Sequence, residues 1–177
     1  MTKNKHKEFK PLTEKEIGAT KADINCAEYR GKIIHYMIEL ESTTEEIILK
    51  YYFKNSGKKG REFLFSVMGK EAFSLNSKYM ALKFILHHKY PQYLKEHSYL
   101  LPAFHELIEL RNSYAHSKLF PISHDVLLLH QHTTKDNKMT IKQLDLSKEA
   151  LELFYGKFKV VYEDLNEILL MIVKEVE

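Results

Sequence analysis

The chain lacks most of what would commit a small protein to chemistry other than packing. Its single cysteine, Cys26, excludes an internal disulfide and a cysteine metal cluster and fits a reducing compartment. Cys26 itself reads as a small apolar residue of the first helix, not a nucleophile. No apolar run approaches the ~18 residues that span a bilayer. The N-terminus carries no apolar block of the secretory kind, so the expectation is a cytoplasmic protein without membrane contact. Neither charge sign dominates: 27 Lys and Arg stand against 24 Asp and Glu, and the net +3 permits contact with nucleic acid without arguing for it. There is no Gly-rich phosphate loop, no Ser, His and Asp order suited to a hydrolase, and no internal repeat. No cofactor is expected.

What remains is apolar periodicity, in a chain whose 177 residues suffice for one domain with its own core. Residues 1–21 are polar, with Lys3, Lys5, Lys7 and Lys10 before Pro11, and read as a flexible tail; 22–177 reads as a single helical domain. From about Asp23, Ile33, Ile34, Met37, Ile38, Leu40, Thr44, Ile47, Ile48 and Tyr51 recur at helical spacing. One long helix to about Phe53 is expected, although Ser42-Thr43-Thr44-Glu45 has the form of a capping box that would split it. The glycines of Asn55 to Gly60 predict a loop. Arg61 to about Lys70 reads as a short helix and Ser74 to Ser77 as a turn. Lys78 to about Lys89 reads as a helix burying Tyr79, Leu82, Phe84, Ile85 and Leu86. Pro91 ends that helix and can start a short turn to Glu96.

After Leu119-Phe120-Pro121-Ile122 the period becomes two: Val126, Leu128 and His130 alternate with Leu127, Leu129 and Gln131, and Met139 and Ile141 alternate with Thr140 and Lys142. Asp136-Asn137 supplies a turn between them. Ser147 then caps a helix to about Lys174, on which Leu151, Phe154, Phe158, Val161, Leu165, Ile168 and Ile172 form one stripe and Tyr155, Tyr162 and Leu169 a second. That is more apolar surface than one packing contact covers. The fold class is therefore mainly α: a helical bundle with one β-hairpin inserted before the C-terminal helix.

Polar residues look placed for chemistry in one segment, Leu110-Arg111-Asn112-Ser113-Tyr114-Ala115-His116-Ser117. Ala103, Leu107, Leu110 and Tyr114 give the preceding stretch a core-facing side, so the motif closes a helix of about four turns. On that helix Asn112 and His116 share a face, while Arg111 and His116 are offset by about 140°. One helix cannot easily aim both at one phosphate unless its last turn is distorted or a second copy supplies the missing group. A guanidinium is a fixed cationic fork for phosphate oxygens, and an imidazole exchanges a proton near neutral pH. Together they suit cleavage of RNA by attack of the 2′-hydroxyl. The spacing alone is weak: three arginines and 10 histidines in 177 residues yield about 0.5 chance matches, and Arg30 to His35 is one decoy. Context separates them, because Arg111 is followed by an amide and its motif ends a helix, whereas Arg30 is followed by Gly31.

At these residues the chain resembles the HEPN superfamily, whose pattern is Arg, a polar residue, then His after four to six intervening positions. The helical order over roughly residues 28 to 176 is also similar to that family. The resemblance implies a helical bundle, usually a homodimer with the two motifs facing across its interface. It implies a metal-independent endoribonuclease of the toxin or antiviral-defence type, with RNA as substrate and an antitoxin or other defence-system protein as a partner. Arg111, His116 and Asn112 would be catalytic, and Ser113, Ser117 and Lys118 would contact substrate. Lys118 stands where one subfamily has a tyrosine that is nucleotidylated, so that form of regulation is not implied. The alternative is a non-catalytic interaction or regulatory module of the same fold.

Other constellations favour bland readings. His130 and His132 share a strand face and could ligate a metal with His124, but solvent-facing histidines account for them better, and no metal is expected. His87-His88 suits the negative end of a helix. Most of the 11 tyrosines lie on apolar faces and read as packing rather than base stacking.

Overall fold

The computed structural model describes residues 21–54, 57–69, 73–116, 118–121, 127–135, 138–145 and 147–176, with side chains described over 26–54, 57–69, 73–115 and 147–175. The expected tail falls outside these residues except for Lys21, which begins the first helix. The chain is mainly helical: α1 (Lys21–Phe53), α2 (Gly57–Phe63), a π-helical turn (Leu64–Met68), α3 (Leu75–Lys89), α4 (Pro91–Glu96), α5 (Leu100–His116) and α6 (Lys148–Val176). Between α5 and α6 the backbone forms a three-stranded antiparallel sheet, β1 (Lys118–Pro121), β2 (Leu127–Lys135) and β3 (Lys138–Asp145), in the order β1-β2-β3. Leu119 pairs with Leu129, and His132 with Ile141. The strand at Lys118–Pro121 replaces the simple break expected there.

The long helices follow from the sequence. α1 runs for 33 residues because nothing in it breaks the backbone ladder. The capping box expected as an alternative does not form: the Thr43 hydroxyl donates to the Glu39 carbonyl at 3.1 Å and Thr44 to Leu40 at 2.7 Å. Both hydroxyls thus bond back into their own helix, and the helix continues. Lys54, at φ 47°, closes it, its N–H reaching the Lys50 carbonyl at 3.1 Å. Ser74 caps α3 by accepting from the Ser77 N–H at 3.4 Å, and Pro91 opens α4, where its missing N–H costs nothing.

Three local expectations are corrected. Ser74 to Ser77 is not a turn but the N-cap and first residues of α3. Gly57 to Gly60 is helical, not loop. Gly60 is buried against the end of α1, and a Cβ there would meet the Phe53 Cβ at an ordinary 3.8 Å, so this packing does not require glycine. Phe84 is 60 % exposed, not buried. The buried stripe of α3 is Leu75, Lys78, Tyr79, Leu82, Ile85 and Leu86, and position 84 lies outside it, its ring stacked on His88 at 5.9 Å.

The core lies between α1, α3, α5 and α6, where Met37, Leu40, Leu82, Phe104, Leu107, Val161, Leu165 and Ile168 exclude solvent. Burying each such side chain contributes about 1.5–3 kcal/mol. A smaller cluster of Ile48, Met68 and Ile85 pins the π-helical turn. The first stripe of α6 is buried from Phe154 to Ile172, whereas the second is shared: Tyr155 is exposed but its ring lies 5.2 Å from Tyr36, and Tyr162 stacks 5.4 Å from Phe158. Among the described residues no helix is long and apolar enough to cross a membrane.

Candidate functional site

The motif occupies the last two turns of α5, and the helix ends at His116. Leu107 and Tyr114 are buried as the core face requires, with Ala103 and Leu110 packed beside them. That anchoring orients the rest of the helix: Glu109, about 200° round from Leu107, faces outward.

Arg111 is partly buried, and its Nη1 donates to Asn112 Oδ1 at 3.1 Å. Neighbouring residues on a helix do not normally face each other, so the contact draws the guanidinium round toward the side of Asn112. Asn112 and the helix position of His116 are only about 40° apart. The hydrogen bond therefore narrows the ~140° offset expected between the arginine and histidine positions. It also occupies one lone pair of Asn112 Oδ1, leaving the second lone pair and the Nδ2 amide to orient other groups.

Ser113 is corrected. It is buried at 4 % exposure, on the core side of α5, a position from which it cannot reach a substrate without unpacking the helix. His116 is the final helical residue and Lys118 the first residue of β1, but their side chains, like all of Ser117, lie outside the described residues. The decoy is dispersed by contrast: Arg30 and His35 lie within the first half of α1, His35 exposed beside Tyr36 at 5.8 Å. His130 and His132 lie on β2 and His124 outside the described residues, while no group of three His, Cys, Asp or Glu among the described residues could hold a metal.

Two polar groupings escaped the sequence. Asp164, 7 % exposed on α6, accepts at Oδ1 from His97 Nδ1 at 3.2 Å and from the Tyr93 hydroxyl at 3.4 Å. Tyr93 also donates to Glu167 at 3.0 Å and stacks on His97 with ring centroids 4.0 Å apart. Burial, then the bond to Glu167, pushes the Tyr93 phenol far up. Asp164 Oδ2 is buried without a partner among the described residues. Second, Lys157 of α6 bonds Glu106 of α5, which lowers the Glu106 carboxyl. Both join residues more than 50 positions apart, and no local pattern announces such pairs.

No family model matches the chain, nor does any curated protein or solved structure.

Proposed function

We propose that the protein is a metal-independent endoribonuclease of the toxin or antiviral-defence kind, with a HEPN-like fold and a site shared between two copies of the chain. The observation that carries this reading is the Arg111–Asn112 bond at 3.1 Å. It fixes a half-buried guanidinium beside the face on which the helix ends in a histidine. In the reaction, His116 of one motif takes the proton of a ribose 2′-hydroxyl. The 2′-oxygen forms its bond to phosphorus as the bond to the 5′-oxygen breaks. The 5′-oxygen leaves with a proton from water. Arg111 of the other motif meets the charge that develops on the equatorial oxygens. The products are a 2′,3′-cyclic phosphate and a free 5′-hydroxyl.

The test incubates purified protein with mixed RNA in EDTA beside His116→Ala. Cleavage by wild type that leaves cyclic phosphate ends, and is lost in the variant, is expected; absence of cleavage refutes the enzyme.

The second reading, a non-catalytic interaction or regulatory module, draws on the outward side of α6, where Leu153, Val160 and Leu170 are all exposed. It needs no open Arg111, and it stands if the RNA assay is blank. An antitoxin or other defence-system protein would be the partner under either reading.

A further inference from the structure

Outside the motif, a groove of about 500 Å³ opens between α3 and the start of α5. A volume of that order suits a small ligand. Tyr79, Leu94, Leu101 and Pro102 give it an apolar floor, and Lys83, His87 and His105 bring donors to its walls. Lys83 and His87 are one turn apart on α3, and His105 faces them from α5 with its ring 5.6 Å from Tyr79. Among the described residues these three side chains have no ion pair and no hydrogen bond. The one carboxylate in the lining, Glu106, is already neutralised by Lys157. The groove therefore presents an ammonium and two imidazoles with no internal anion to satisfy them, beside the positive end of the 17-residue α5. An imidazole offers an N–H in either protonation state. The fitting ligand is an anion with several acceptor oxygens and an apolar neighbour.

We propose that this groove is a phosphate-binding subsite, which on the ribonuclease reading holds a backbone phosphate of a single-stranded RNA whose scissile phosphate lies at Arg111. The helix supplies the register. His105, Asn112 and the position of His116 fall within about 40° of one another on the outer side of α5, and His105 and Asn112 are ~10 Å apart along its axis. A strand laid along that side meets the groove and the motif in succession. A second groove, with three lysines, fits worse. Lys50, Lys54 and Lys89 gather where α1 and α3 end, a negative pole that these cations already offset, and Lys89 pairs with Glu175 at 3.1 Å.

The test is binding, so it does not depend on turnover. Imidazole resonances of the full chain are followed by NMR during titration with inorganic phosphate, and separately with a short 2′-deoxy oligonucleotide that cannot be cleaved. We expect the His87 and His105 rings to shift while His35 does not, and Lys83→Gln or His105→Gln to weaken binding by about tenfold. For the oligonucleotide, Lys83→Gln should also reduce the slope of log affinity against log salt by ~0.7. Lys58→Gln, an exposed lysine on α2, is the control and should change neither. Shifts with both ligands support the RNA subsite, and shifts with phosphate alone support a subsite for a free phosphate group. If neither ligand moves the two rings, or Lys83→Gln binds as wild type does, the subsite is refuted. A protein that binds but never cleaves RNA refutes the ribonuclease alone.

Discussion

Arg111 Nη1 donates to Asn112 Oδ1 at 3.1 Å, a side-chain bond between adjacent residues that ties the guanidinium to the same face as the end of its helix. If this bond holds the cation for catalysis, Arg111→Ala and His116→Ala should each lower turnover by on the order of 10² or more, with RNA affinity within a few fold. Asn112→Ala, which leaves the cation present but untethered, should cost about tenfold. His35→Ala from the decoy should cost nothing. The measurement is cyclic phosphate production per folded protein, and equal rates for wild type and Arg111→Ala would remove the site.

A shared site makes a prediction that single variants do not. Arg111→Ala and His116→Ala chains are each inactive, but a mixed pair retains one site with both groups intact. Equal mixing should restore roughly a quarter of wild-type activity, since half the dimers are mixed and each has one working site of two. Light scattering should give twice the 21.0 kDa chain mass. A monomer at micromolar concentration, or mixing that restores nothing, would remove the shared site.

Lys78 is a buried cation on the core stripe of α3, 4 % exposed, and its Nζ lies 2.5 Å from Glu45 Oε1 and also contacts Glu41. Burial alone would lower its pKa, but the hydrogen bonds and charges of Glu41 and Glu45 outweigh that, and the net shift is upward. A raised folded pKa contributes stability that is complete below the ordinary value of 10.5 and is lost as pH climbs through the folded value. Lys78→Ala should therefore cost about 2 kcal/mol at neutral pH. The figure is below the ~3–5 kcal/mol of a fully buried pair because the two glutamates keep some exposure. Urea unfolding at pH 7 and pH 11 should show the gap between wild type and Lys78→Met closing at the higher pH. Tyr90, which burial first and Glu175 second push up to about 12, weakens both proteins alike in that range and cancels in the comparison. A gap unchanged by pH would show that the ion pair is not the source.

Asp164 holds the turn between α4 and α5 against α6 through His97 and Tyr93. Asp164→Ala strands His97 Nδ1, while Tyr93 keeps its bond to Glu167, and should lower stability by ~1–2 kcal/mol. Asp164→Asn keeps an acceptor at Oδ1 and should cost less. Denaturation midpoints decide, and an alanine variant as stable as wild type would mean that the turn docks by apolar contact alone.

Helix positions were legible because they are written locally. Unbroken apolar spacing without proline specified α1 and α6, and the stripe through Leu107 and Tyr114 placed the motif at the end of α5. The start at Pro91 was equally local, whereas the sequence marked Ser74 to Ser77 as a turn and the fold uses it as the cap and first turn of α3. The glycines misled at Gly57 to Gly60 because glycine permits a loop without requiring one, and a Cβ would fit at both positions of this helix.

Tertiary structure decided what each face meets. Periodicity marks a stripe but not its partners, so Phe84 and Lys78 were legible as helical but not as exposed and buried. Ser113 looked like part of a polar motif until the packing of α5 turned it inward. The partners of Asp164 lie 71 and 67 residues away, and the groove of Lys83, His87 and His105 exists only where two helices meet. Local propensity acts over one or two turns, whereas burial and charge pairing depend on which surfaces the whole chain brings together. The motif's identity was therefore a property of its eight residues, and the direction of its guanidinium a property of the fold.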